Sequence, residues 1–178
     1  MRKAAILTSA LSVALCAFQG VHAGEEPTDK YEGKTFMWGE PIANKDDLVE
    51  RIQKEIASTD ELNDELFDKN VPEYLELAES LAMALKDGYA IYDASSDEYE
   101  KAKSLYEQMK IAQKIFDDAC SADKTVNSDE LSENDKGSLY TMNNANLSPE
   151  DKQTLLNAKE QVPEMINKLK ELLTKIEA

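Results

Sequence analysis

Histidine is almost missing: the one copy, His22, lies within the first 23 residues, and none follows it. That absence removes Ser-His-Asp and Cys-His nucleophilic machinery, histidine general bases and histidine-bearing zinc, copper and haem sites from the rest of the chain. Carboxylates alone can run some chemistry, glycoside hydrolysis among it. With 36 acidic residues spread along helical patterns, however, no pair stands out. A carboxylate-dependent enzyme is therefore carried only as an alternative, and the chain is read as a non-enzyme with no cofactor.

Cysteine is nearly as scarce, with Cys16 near the start and Cys120 far from it. Once the first 23 residues are removed, Cys120 has no partner for an intrachain disulfide. In an oxidising compartment such a cysteine is either buried or bridges two chains. Its place beside Ala119, near the end of an amphipathic stretch, favours burial. Stability must then come from the core, which is feasible because a chain of about 150 residues buries about 70% of its unfolded surface.

Positive charge is also in short supply: 20 Lys and Arg stand against 36 Asp and Glu, a net charge of −16. Two of the basic residues are Arg2 and Lys3, and removing them takes the net charge to −18. Such a surface repels phosphate backbones and anionic lipid, so neither nucleic acid nor a membrane is expected as a partner. It favours solubility, cationic partners or divalent ions.

Long apolar runs are confined to the beginning. Met1, Arg2 and Lys3 precede an apolar stretch from Ala4 to Phe18, and no acidic residue occurs before Glu25. This is the layout of a secretory signal peptide over 1–23, with Val21-His22-Ala23 offering a cleavage site. The alternative, a membrane anchor, needs about 20 apolar residues, and this run ends sooner. Leu15 before Cys16 disfavours lipoprotein processing. The expected location is periplasmic or secreted.

Residues 24–44 contain Gly24, Gly33, Gly39, Pro27 and Pro41 without helical period, which predicts an extended or flexible arm. Inside it Phe36-Met37-Trp38 is a compact apolar cluster with the chain's only tryptophan. It is a candidate partner-binding element, since tryptophan is enriched at interface hot spots. The competing reading tucks it onto its own domain.

From Lys45 the pattern is helical to the end, a single domain over 45–178. Leu48, Val49, Ile52 and Ile56 share one face, with Asp46 and Asp47 in the opening turn. Ser58 and Glu61 have capping-box spacing for a short second helix bearing Leu62, Leu66 and Phe67. Asn70, Pro72 and Glu73 start a third, with Asp87-Gly88 as a plausible stop and continuation through it as the alternative. Ser95 and Glu98 again have capping-box spacing before a stripe from Ala102 to Ala119. Tyr92, Tyr99 and Tyr106 recur at seven-residue spacing and would align if that helix extended back through Ser95. Such a ladder could stack on sugars or aromatic ligands, or else serve the core. Ser148, Pro149 and Asp151 begin a penultimate helix that Pro163 breaks or kinks before a last amphipathic one. No strand-like alternation is evident. The expected fold class is all-α, an irregular bundle of five or six helices with an extended N-terminal arm.

One stretch carries ligand chemistry. Ser121, Asp123, Thr125, Val126, Asn127 and Glu130 resemble the second half of an EF-hand calcium loop, with Glu130 in the closing bidentate position and Asn127 in the water-linked one. The resemblance implies Asp123, Asn127 and Glu130 as metal ligands in a degenerate loop at 119–130. Ala119 stands where the first ligand belongs, and Lys124 replaces the glycine of the sharp turn. The competing reading is an ordinary interhelical loop in which Asn127 caps the next helix. Asn146-Leu147-Ser148 matches a glycosylation sequon, which matters only in a eukaryotic source. The leading expectation is an exported acidic binding or accessory protein acting through a protein or small-ligand surface, with a calcium-binding protein as the alternative.

Overall fold

The computed structural model describes residues 29–122, 141–142 and 146–178, and the predicted leader lies outside them. The described chain is mostly helical. Two short strands, β1 (Thr35–Phe36) and β2 (Glu40–Pro41), precede helix α1 (Lys45–Ser58), a 3-10 turn (Thr59–Glu61), α2 (Asp64–Lys69), α3 (Val71–Asp93), α4 (Asp97–Ala122) and α5 (Pro149–Glu177). The strands pair antiparallel, Phe36 opposite Glu40 and Thr35 opposite Pro41. Two-residue strands are too short to show a period of two, which is why the sequence pattern carries no trace of them.

Helix α3 is the centre: it packs on α1, α2, α4 and α5, and α1 in turn packs on α5. Its Leu75, Ala78, Leu81, Ala82, Ala84 and Leu85 are all fully buried. A helix apolar on most of its circumference has to be surrounded, and its neighbours supply one stripe each: Leu48 and Ile52 from α1, Met109 and Ala112 from α4, Met165, Leu169 and Leu172 from α5.

Asparagine and serine side chains begin the helices by accepting the otherwise unpaired first-turn N–H groups. Asn44 accepts from Asp47 N at 2.9 Å, Asn63 from Leu66 N at 2.9 Å, Asn70 from Glu73 N at 3.2 Å and Ser148 from Asp151 N at 3.0 Å. Two expected capping boxes are displaced. Ser58 closes α1 and donates its Oγ to Glu55 O at 2.7 Å, leaving Asn63 to start α2. At α4 the cap is Ser96, which accepts from Tyr99 N at 3.1 Å. Glu98 is occupied by Lys168 of α5 at 2.7 Å.

The expected stop at Asp87-Gly88 does not occur, and α3 continues to Asp93. Gly88 is buried, and a Cβ built on it would lie 2.7 Å from Leu172 Cδ2. The glycine is a notch for α5, not a terminus. Pro163 likewise does not divide the C-terminal region: α5 is one helix with the proline inside it, so five α-helices, not six, are found among the described residues. Pro163 lies on the exposed side, where water can take up the Lys159 carbonyl that loses its N–H partner.

Within the stretch expected to be extended or flexible, residues 29–44 form a hairpin seated on the helices. Tyr31, Phe36, Met37 and Ile42 are buried. Ile42 N donates to Lys34 O at 2.7 Å and Gly33 N to Ile42 O at 2.9 Å. Asp29 ties the arm to the start of α1 by accepting from Tyr31 N and Lys45 N, and those N–H groups hold its carboxyl below the ordinary range.

Candidate functional site

The hairpin turns through Met37, Trp38 and Gly39, all with positive φ, at 43°, 48° and 73°. Glycine adopts this region freely, but methionine and tryptophan do so at a cost of roughly 1–3 kcal/mol each. The turn is held in place from both ends. Met37 N donates to Asp87 Oδ2 of α3 at 3.0 Å, Glu40 N donates to Met37 O at 3.1 Å, and the Met37 side chain is buried. The result divides the cluster singled out in the sequence. Phe36 and Met37 are core residues, while Trp38 is thrown outward and is 70% exposed.

Beneath Trp38 lies a cavity of about 260 Å³ between the hairpin and α1. Phe36 and Met37 line it together with Arg51, Lys54 and Glu55 of α1 and Glu40 of β2. Arg51 is already committed: Nε and Nη2 form a fork on Asp47 at 2.9 and 3.0 Å, and Nη2 also donates to Pro41 O at 3.0 Å. Its Nη1 is buried without a hydrogen bond, 3.6 Å from Glu40 Oε2. Bonds from Ala43 N and Arg51 hold the Asp47 carboxyl low. Glu55 is the opposite case. It is half-buried, its carboxylate makes no hydrogen bond or ion pair among the described residues, and burial pushes its carboxyl above the ordinary glutamate range.

The sign of that shift gives a test. A carboxyl raised in the folded state favours folding when protonated, and the advantage is lost as pH rises through its folded value. At pH 7 the Glu55 charge therefore costs stability. Glu55→Gln is expected to raise the melting temperature by roughly 1–3 °C at pH 7. The gain should shrink to nothing below the ordinary glutamate value of 4.5. Thermal denaturation of both proteins across this range checks it, and an equal gain at all pH values would mean that the charge is not the cause.

The signal for Glu55 was present in the sequence. Leu48, Ile52, Glu55 and Thr59 follow helical spacing along the buried side of α1, so an acid occupies a core-stripe position. The sequence pattern alone did not single it out, nor Asp87, whose role depends on a contact fifty residues away in the chain.

The other candidates do not come together in a site among the described residues. Asp123, Asn127 and Glu130 lie outside the described residues, and Ala119, in the first-ligand position of that loop, is buried. Among the described residues no group of three or more His, Cys, Asp or Glu is placed to hold a metal ion. The tyrosines do not form one ladder, because Tyr92 ends α3 while Tyr99 and Tyr106 belong to α4. All three are half-buried against the core, and Tyr106 is flanked by the ammonium groups of Lys86 and Lys110 at 5.0 and 5.2 Å from its ring centre. Cys120 is half-buried and packs on the core. Asn146 is exposed, and Ser148 of the same sequon caps α5.

A second cavity, of about 450 Å³, opens beside Pro163 among Leu62, Tyr74, Leu156 and Lys159. Its cation is engaged, since Lys159 bonds Asp64 at 2.9 Å and covers the Phe67 ring at 4.8 Å. Its phenol is inert near neutrality, because burial and then the Asp64 charge push Tyr74 up to about 12. No described helix is long and apolar enough to cross a membrane. Of these two among the cavities of the described chain, the one under Trp38 combines an exposed aromatic ring with an unneutralised carboxylate, and against protein-family models, curated proteins and solved structures the chain finds no match.

Proposed function

We propose that this is an exported, acidic binding or accessory protein, not an enzyme, and that it engages its partner through the Trp38 tip of the hairpin. In this reading the helices are an irregular bundle whose N-terminal arm carries the binding surface, and the protein works in the periplasm or outside the cell. The observation that carries the reading is the 70% exposure of the only tryptophan on a turn clamped by Asp87. A large apolar ring kept in water by a strained backbone is costly to the protein alone, and such strain is retained where it serves a site. The clamp also matters for binding, because a tip that is already ordered loses little freedom when a partner arrives.

The test places a photo-crosslinking residue at Lys54, on the rim of the cavity, and compares the parent with Trp38→Ala. Capture of a defined partner should fall roughly tenfold in Trp38→Ala while the melting curve is unchanged, as expected for a hot spot worth over 1 kcal/mol. A second crosslinker at Ile111, exposed on α4, serves as the control. Equal capture from Ile111, or capture at Lys54 that ignores Trp38, would remove the tip as the binding surface.

A further inference from the structure

The chemistry of the partner can be read from the same cavity, an inference that rests on the Trp38 tip being the binding surface. We propose that the cavity between Trp38 and Glu55 receives a lysine or arginine side chain of a basic protein, its aliphatic stem against Met37 and Trp38 and its charged head on the Glu55 carboxylate.

Three observations point to that occupant. The first is Glu55, a half-buried carboxylate without a partner among the described residues. A desolvated charge of this kind is costly until an opposite charge reaches it. Arg51 does not fill that role, because Asp47 holds it in a fork at 2.9 and 3.0 Å. With that pair cancelled, the remaining charges around the cavity are Glu40 and Glu55 against Lys54, and the whole chain carries −16. The second is Trp38, whose ring face attracts cations more strongly than the other aromatic side chains do. The third is size. At about 260 Å³ the space falls below the roughly 300–1,000 Å³ of pockets that enclose whole small molecules, which suits one side chain presented by a larger surface. The net charge would steer a basic partner towards the protein, while the cavity decides where it seats.

The test titrates the purified protein into fluorescein-labelled oligolysine and follows anisotropy. Nε-acetylated oligolysine and oligoglutamate are the uncharged and anionic controls. Oligolysine should bind and both controls should not. Glu55→Gln and Trp38→Ala are each expected to weaken binding roughly tenfold. Glu100→Gln, which removes the same charge from an exposed position on α4, should change it less than about twofold. In the parent the Trp38 emission should shift on binding. If Glu100→Gln weakens binding as much as Glu55→Gln, or if the emission does not respond, the diffuse charge is the binder and the cavity is not. The crosslinking comparison at Lys54 separates the two ideas. Partner capture that needs Trp38 but not Glu55 keeps the tip as the surface and overturns the cationic occupant, whereas capture independent of both overturns the two together.

Discussion

Replacing Phe36 with alanine is expected to lower stability by about 3–5 kcal/mol, the range for deleting a buried aromatic side chain. Phe36 is 1% exposed, and its ring reaches the surface of α3 at Gly88, 4.0 Å from where a Cβ would stand. It is the main apolar anchor of β1. Against a total of about 5–15 kcal/mol for a domain, the loss should lower the melting temperature by roughly 10 °C. The anchor sits on the arm, so the arm should release before the helices do. Hydrogen exchange should therefore show Gly33 and Ile42, whose N–H groups bridge the two sides of the hairpin, losing protection well ahead of the α3 interior. Uniform loss across arm and helices would mean that hairpin and helices unfold as one unit.

The second large effect concerns the contact between Gly88 and Leu172. Leu172→Ala should cost about 3 kcal/mol or more, because the side chain is fully buried and its removal leaves a cavity. Gly88→Ala brings two opposed terms. Alanine improves helix propensity by about 1 kcal/mol, but its Cβ would fall 2.7 Å from Leu172 Cδ2. Overpacking of that kind costs about 1–3 kcal/mol. Leu172 is itself fully buried and has little room to give way, so a net loss of about 1 kcal/mol is expected for the single change. In the Leu172→Ala background the obstructing methyl is gone and Gly88→Ala should instead stabilise. Chemical denaturation of the four proteins should give a coupling of about 2 kcal/mol. Additive losses would show that α5 can shift away from Gly88 and that the notch does not fix its position.

Legibility of the fold followed the range of the interactions involved. The apolar stripes of α1 and α4 could be read directly, because helical spacing is a local property: Leu48, Val49, Ile52 and Ile56 of α1, and Ala102 and Ala119 at the two ends of the α4 stripe, are buried or half-buried. Asn70 as the start of α3 was equally readable. Errors arose where a local signal had a second use. Gly88 looks like a helix terminus until Leu172 is placed against it, and Pro163 looks like a break until its side of α5 is known to face solvent. Ser58 and Ser95 have the spacing of caps, yet neighbouring Asn63 and Ser96 are the ones whose geometry meets an open N–H. The Phe36-Met37-Trp38 cluster was visible as a cluster, but its division between core and surface depends on Asp87 and on three successive positive φ angles, which composition does not reveal.

The order of the elements also bears on how the chain is made. Helix α1 packs on α5, and at their ends Lys45 Nζ meets Glu177 O at 3.3 Å, a separation of 132 positions along the chain. During synthesis the first helix therefore emerges long before its partner exists. The side of α1 that packs on α5 stays uncovered until α5 has been added. Contacts of such long sequence range slow folding, because the intervening chain must close before they form. A ribosome stalled before residue 149 should accordingly hold a nascent chain whose first helix remains open to chaperones, and release of the last helix is the event that closes the structure.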